Sequence, residues 1–153
     1  MNTINIESFV SRQSRERYRA FIVYGPSMSK KTYFAKQLAT KLNGTHIDML
    51  DEAGRQPWGT RIDEFTPGAF KEWILNCKET NFLVVIDNID FLINTWNETE
   101  KSEFLELVRM LNNTESLITF CFILQEDNFL KGRVFPNTFG DNRIIHISAI
   151  ENI

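Results

Sequence analysis

Short, unbroken apolar runs alternate along this chain with stretches in which apolar residues recur every three or four positions. Residues 20–24, 82–86 and 117–124 are runs of the first kind, which is how strands buried on both faces of a parallel sheet read. Residues 45–50 and 143–148 read as two further strands. Between them, Tyr33, Phe34, Leu38, Ala39 and Leu42 repeat at the helical period up to a stop signal at Asn43-Gly44. Phe70, Trp73, Ile74 and Cys77 do the same after Thr66, a capping residue, and Pro67, whose fixed φ suits a first helical position. Over residues 97–113, Phe104, Leu105, Leu107, Val108 and Leu111 form an apolar stripe, with Glu98, Glu100, Lys101 and Glu103 on the wetter faces. A short helix within residues 4–19 places Ile6, Phe9 and Val10 on the core, with Ser8 or Ser11 as caps. Residues 51–68 and 135–142 hold turn formers and read as irregular, and residues 126–133 as a turn or short helix. Strands alternating with helices predict an α/β fold of three layers, a parallel sheet covered on both faces.

Composition adds limits rather than chemistry. The 153 residues are the length of one domain, and 1–153 is read as a single unit. A hydrophobic share of 42%, with 13 Phe against 7 Gly and 4 Pro, excludes a disordered or low-complexity chain. No apolar run is long enough to cross a bilayer, and residues 1–10 lack a basic stretch followed by an apolar one, so a cytoplasmic location is expected. Two cysteines, Cys77 and Cys121, and two histidines, His46 and His146, all lie among apolar neighbours. They read as core residues and not as a metal site. The net charge of −3 is uneven, at +6 over residues 1–45 and −9 over residues 46–153. Arg12, Arg15, Arg17 and Arg19 concentrate the positive end, which is suited to a solvated helix face or to phosphates of DNA or an acidic partner.

Two strand ends carry the candidate chemistry. The apolar run at 20–24 leads into Gly25, Pro26, Ser27, Met28, Ser29, Lys30, Lys31 and Thr32, which reads as a phosphate loop opening a helix. Backbone N–H groups of such a loop curl round phosphate oxygens while the helix points its positive end at them. Lys31 would then reach the β and γ phosphates, and the Thr32 hydroxyl would ligate Mg²⁺. The motif asks for a second glycine where Lys30 stands, and glycine is wanted there because it takes torsions other residues resist. The run at 82–86 ends in Asp87, the place of an acid that holds Mg²⁺ through water, or equally of a residue that caps a turn. Open parallel sheets bind ligands beyond the carboxyl ends of their strands, so residues 25–32, 87–90 and Gln125 are expected along one rim.

Gly-Pro-Ser-x-Ser-x-Lys-Thr after one strand and Leu-Val-Val-Ile-Asp-Asn-Ile-Asp at the end of another resemble the Walker A and Walker B motifs of AAA+ and STAND-type P-loop ATPases. The resemblance implies a five-stranded sheet of order 5-1-4-3-2, ATP held by residues 25–32, and Mg²⁺ held by Thr32 and Asp87. It places Lys31, Asp87, Asn88 and Gln125 at the catalytic centre, with Gln125 as the polar sensor after the fourth strand. It places Arg133 where an arginine can reach a neighbouring subunit's nucleotide. Two departures bear on hydrolysis. Asn88 stands where the family commonly has an acidic base, and an amide orients a water without accepting its proton; Asp90, two residues on, reads as a substitute or equally as a cap of the turn. No helical lid is expected after the last strand, because only residues 149–153 follow. A compact, lid-less chain of this kind is similar to the small P-loop family of BREX bacteriophage-defence systems. That likeness implies a subunit of a homo-oligomer or of a complex with larger defence proteins.

The leading expectation is therefore an ATP-binding switch or assembly subunit with weak or partner-dependent hydrolysis. The alternative is a non-catalytic module on the same scaffold, using Arg12, Arg15, Arg17 and Arg19 and exposed aromatics such as Trp58 and Trp96 to hold a protein or DNA. A small-molecule kinase fits less well, since neither a lid nor an acceptor pocket is visible.

Overall fold

The computed structural model describes residues 3–77, 81–112 and 117–151. In chain order the elements are α1 Ile6–Gln13, β1 Ala20–Gly25, α2 Lys31–Lys41, β2 Thr45–Asp48, α3 Met49–Arg55, α4 Pro67–Leu75, β3 Leu83–Asp87, α5 Asp90–Ile93, α6 Glu98–Arg109, β4 Thr119–Gln125 and β5 Ile144–His146. The five strands form one sheet in the order β2-β3-β4-β1-β5, with every pairing parallel. This is the order 5-1-4-3-2 counted from the other edge.

Alternation along the strands divides the core in two. Phe21 and Val23 of β1, Leu83 and Val85 of β3 and Cys121 and Ile123 of β4 face α1 and α2. Their neighbours Ile22, Val84, Ile86, Phe120 and Phe122 face α4, α5 and α6. Because both faces are covered, residues 20–23, 83–86 and 120–124 of the central strands are apolar without a break. The second face is the more aromatic, with Phe70, Phe104 and Phe122 meeting at centroid separations of 5.8 to 6.1 Å. The edge-to-face pairs, Phe70–Phe104 and Phe104–Phe122, each add about 1 kcal/mol to the burial itself.

Local signals fix most boundaries. Thr66 accepts the Ala69 N–H and Pro67 opens α4. Asn97 and Glu100 form a reciprocal capping box that starts α6. That helix ends at Arg109, and residue 113 of the expected 97–113 span lies outside the described residues. Three expectations need correction. The helix within 4–19 runs only over Ile6–Gln13, and its cap is Asn5, not Ser8 or Ser11. The strand expected over 45–50 stops at Asp48, whose side chain accepts the Leu50 N–H at 2.9 Å and starts α3 inside the stretch read as irregular. The strand expected over 143–148 keeps only Ile144–His146, because His146 caps a 3-10 turn over Ile147–Ala149. That turn leads to Glu151, and residues 152 and 153 of the expected tail are outside the described residues. Among the described residues no helix is long and apolar enough to cross a membrane.

Candidate functional site

β1 delivers the chain to the loop over residues 26–30, and α2 begins at Lys31. Gly25 is required here for space. A Cβ at that position would lie 2.6 Å from Ile147 Cγ2 and 2.9 Å from Ser29 Oγ. Beyond it the backbone turns left-handed at two separate residues. Met28 (φ 62°) and Lys30 (φ 60°) are left-handed, with Ser29 between them outside that region. Alternating handedness turns successive N–H groups toward one point, which makes a concavity for an anion. Lys30 thus occupies the conformation for which the motif normally keeps glycine, and it does so as the residue preceding α2, with no side-chain cap. Each such non-glycine residue costs on the order of 1–2 kcal/mol.

The loop is internally tied. Lys31 Nζ donates to the Pro26 carbonyl at 2.6 Å and contacts Ser29 Oγ at 3.3 Å, while Ser29 Oγ donates to the same carbonyl at 2.6 Å. Gln125, at the end of β4, donates its side-chain amide to Ser27 Oγ. A cleft of about 370 Å³ opens over this loop, bounded by Ser27, Met28, Ser29, Lys30, Lys31, Thr32, Tyr33, Asn88, Asp90 and Gln125. Met28, almost fully exposed, and the exposed Tyr33 form an apolar lip at its mouth.

β3 brings the acidic side. Asp87 is 2% exposed and sits behind the cleft wall, on the sheet face covered by α2. Its Oδ1 accepts the Asn88 N–H at 2.9 Å, and its Oδ2 contacts His46 Nε2 at 3.1 Å. Asn88 is left-handed, at φ 57°. Asparagine tolerates that conformation better than a longer acid would, which gives a backbone reason for an amide directly after Asp87. Asp90 opens α5 and faces the cleft. Its Oδ1 accepts the Gln125 N–H at 2.9 Å. Burial pushes this carboxyl above its ordinary range, the Gln125 hydrogen bond and the nearby Lys31 charge pull it back, and the Asp87 charge pushes it up. Lys31, Asp87 and Asp90 therefore share one electrostatic environment at one rim of the sheet.

The structure brings together Ser27, Met28, Ser29, Lys30, Lys31, Thr32, Asn88 and Gln125 around the cleft, with Gly25 and Pro26 forming its turn and Asp87 behind it. Arg133 is exposed, and its charge is felt by Glu106 on α6. His46 and His146, read from sequence as core residues, are half-buried polar partners instead, His46 of Asp87 and His146 of Glu126. No short-range signal marks His46, because only the pairing of β2 with β3 carries it to Asp87.

The arginine cluster divides. Arg12 forms a two-pronged pair with Asp141 at 2.9 and 3.1 Å, which holds the Asp141 carboxyl below its usual range. Arg19 is 8% exposed and donates to the Glu16 carbonyl. Arg15 and Arg17 remain exposed, lying over the rings of Phe139 and Tyr18. Trp96, expected to be an exposed aromatic, is 5% exposed and donates its indole N–H to the Phe65 carbonyl. Trp58 is half-buried and stacks on Phe65 at 4.2 Å.

Among the described residues no group of three or more His, Cys, Asp or Glu is placed to hold a metal ion. What the site offers a cation is a set of oxygen ligands, the Thr32 hydroxyl and the Asp90 carboxylate on the cleft and the Asp87 carboxylate behind it. That set suits Mg²⁺, which takes few protein oxygens and completes its shell with water and phosphate.

No family model matches the chain. It is similar over 89 residues, at 27% identity, to Protein SUPPRESSOR OF K(+) TRANSPORT GROWTH DEFECT 1 of Arabidopsis thaliana. The matched stretch is 58% of this chain and 20% of that protein, so the likeness spans about a fifth of the relative's length.

Proposed function

We propose that this protein binds a nucleoside triphosphate, ATP with Mg²⁺, in the cleft above residues 25–32, and that it works as a switch or assembly subunit with slow, partner-dependent hydrolysis. The observation that carries this is the backbone of the loop. Two non-glycine residues, Met28 and Lys30, are held left-handed within the three positions before Lys31, a geometry that favours N–H groups converging on an anion such as phosphate. Strain of this kind persists where the surrounding structure over-determines it, and it concentrates at ligand-binding turns.

Each residue then has a defined task. The N–H groups of the loop and the first turn of α2 receive phosphate oxygens. Lys31 already spans the loop to Pro26, within the reach it needs to meet the β and γ phosphates. Thr32 and Asp87 supply the oxygens for Mg²⁺, whose charge offsets that of the phosphates. Asp90 is the carboxylate that faces the cleft, and unlike Asn88 it can accept a proton from an attacking water. Gln125 joins the loop to Asp90, through its amide at Ser27 and its N–H at Asp90. A place in a cytoplasmic defence assembly rests on the sequence resemblance alone.

Thermal unfolding with and without ATP and Mg²⁺ tests the proposal. A ligand at one hundred times its Kd adds about 2.7 kcal/mol of stability, or a rise of several degrees in Tm for a chain of this size. The expected result is such a rise in the wild type and its loss in Lys31→Ala. A wild-type Tm unmoved by millimolar ATP and Mg²⁺ overturns it.

The exposed pair Arg15 and Arg17 supports a second reading, a protein- or DNA-binding surface independent of the cleft. It expects binding that survives Lys31→Ala, weakens with salt and is lost when both arginines are neutralised.

A further inference from the structure

We infer that His46 is a positioning residue that fixes Asp87 for Mg²⁺. This inference rests on the nucleotide reading and deepens it. β2 is the edge strand beside β3, with His46 opposite Val85 and Asp48 opposite Asp87. The imidazole reaches diagonally along the sheet to Asp87 Oδ2 at 3.1 Å. Its side chain is 18% exposed and that of Asp87 3%, so the contact is shielded from water. With Asp87 as a carboxylate, an Nε2–H on His46 is the donor that fills this contact. The other oxygen, Oδ1, is taken by the Asn88 N–H at 2.9 Å. One donor on each oxygen fixes the plane of the carboxylate, so that its remaining lone pairs have one direction.

Carboxylates that serve a cation are commonly held this way, and loss of the outer partner costs about 10–100-fold in metal affinity. Here the outer partner comes from a different strand and lies forty-one residues away in the chain. A merely structural contact has a different signature. Its loss would destabilise the fold, or weaken nucleotide binding alike with and without metal. A positioning role acts on the metal-dependent part alone.

Titration calorimetry with ATP, in Mg²⁺ and separately in excess EDTA, distinguishes the two. The variants are His46→Phe, which keeps a ring and removes the donor, and His46→Gln, whose amide places an N–H at about the reach of Nε2. Circular dichroism confirms that each is folded. The expected result is a metal-free affinity within about twofold of wild type in both variants. The gain in affinity on adding Mg²⁺ falls about tenfold or more in His46→Phe and is largely regained in His46→Gln. Equal Mg²⁺ gains in wild type and His46→Phe overturn the role of His46 and leave nucleotide binding standing. Parallel losses with and without Mg²⁺ overturn it in favour of a structural contact. If His46→Phe does not fold, His46→Gln still decides: a lost Mg²⁺ gain in that folded variant contradicts the donor role. A wild type that binds no ATP in either buffer removes the nucleotide reading and this inference together.

Discussion

Asp90 accepts the backbone N–H of Gln125 at 2.9 Å, which ties the turn after β3 to the end of β4 at the mouth of the cleft. Gln125 in turn holds Ser27 in the loop over residues 26–30. Asp90, Gln125 and Ser27 are therefore linked in series by two hydrogen bonds, with Gln125 in the middle.

Asp90→Asn separates stability from function. Burial raises this carboxyl above its ordinary 3.8, so the folded state binds the proton more tightly than the unfolded chain. The stability contributed by the group is fully present below about pH 3.8 and falls as pH rises through the folded value. Ionisation of Asp90 is therefore a burden on the fold. Asparagine keeps an oxygen for the Gln125 N–H and removes that burden. The variant should melt at or above the wild-type Tm at pH 7, and the difference should vanish below about pH 3.8. ATP turnover, read as phosphate release, should fall about 10²–10⁴-fold, as for loss of a general base. A clearly lower Tm with turnover intact would contradict both parts.

Lys30→Gly tests whether the loop stores strain. Relief of a left-handed non-glycine residue is worth about 1–2 kcal/mol, and the extra freedom of glycine in the unfolded chain returns about 0.5–1 kcal/mol of that. A net stabilisation of about 0.5–1 kcal/mol is expected, or roughly 2 °C in Tm. Affinity for ATP should rise in the same variant, because glycine lets the backbone approach phosphate more closely. A lower Tm would show that the Lys30 side chain contributes more than its torsion costs.

Much of this arrangement is legible in the sequence, and what is not follows one rule. Residues 20–23 and 83–86 are apolar throughout because both faces of their strands are covered, and Thr66-Pro67 and Asn97 announce helices through neighbours three residues away. Signals of that range can be read along a single chain. Asp48 misleads because a four-residue edge strand and a capped helix compete for the same apolar letters, and the cap decides. His46 and Trp96 escape because their partners lie forty-one and thirty-one residues away, at Asp87 and Phe65. Strand pairing and packing set those contacts, and no local pattern encodes them. The charged run at residues 12–19 looks uniform in sequence, yet Arg12 and Arg19 are absorbed by the fold and only Arg15 and Arg17 stand out from it.

Arg143 is the polar residue on which the opposite end of the sheet depends. It is 4% exposed, and its guanidinium donates to three carbonyls: Ala20 at 2.9 Å, Val108 at 3.0 Å and Arg109 at 3.1 Å. Two of these belong to the last turn of α6, whose carbonyls lack partners within the helix and carry the negative end of its dipole. The third is at the start of β1, so one side chain binds three segments of chain. Burial lowers its pKa to about 10, and it stays charged at neutral pH. Arg143→Ala should cost about 3 kcal/mol, since each hydrogen bond to a charged donor is worth about 1.5–3 kcal/mol and part of the loss is recovered by water. That corresponds to a fall of roughly 6–12 °C in Tm. Arg143→Lys should recover less than half, because one ammonium cannot span three carbonyls as a planar fork does. Ala20 and Gly25 lie at opposite ends of β1, so the Kd for ATP, measured on the folded fraction at low temperature, should stay at the wild-type value in both variants. A stable Arg143→Met protein would show instead that filling this space matters more than capping α6.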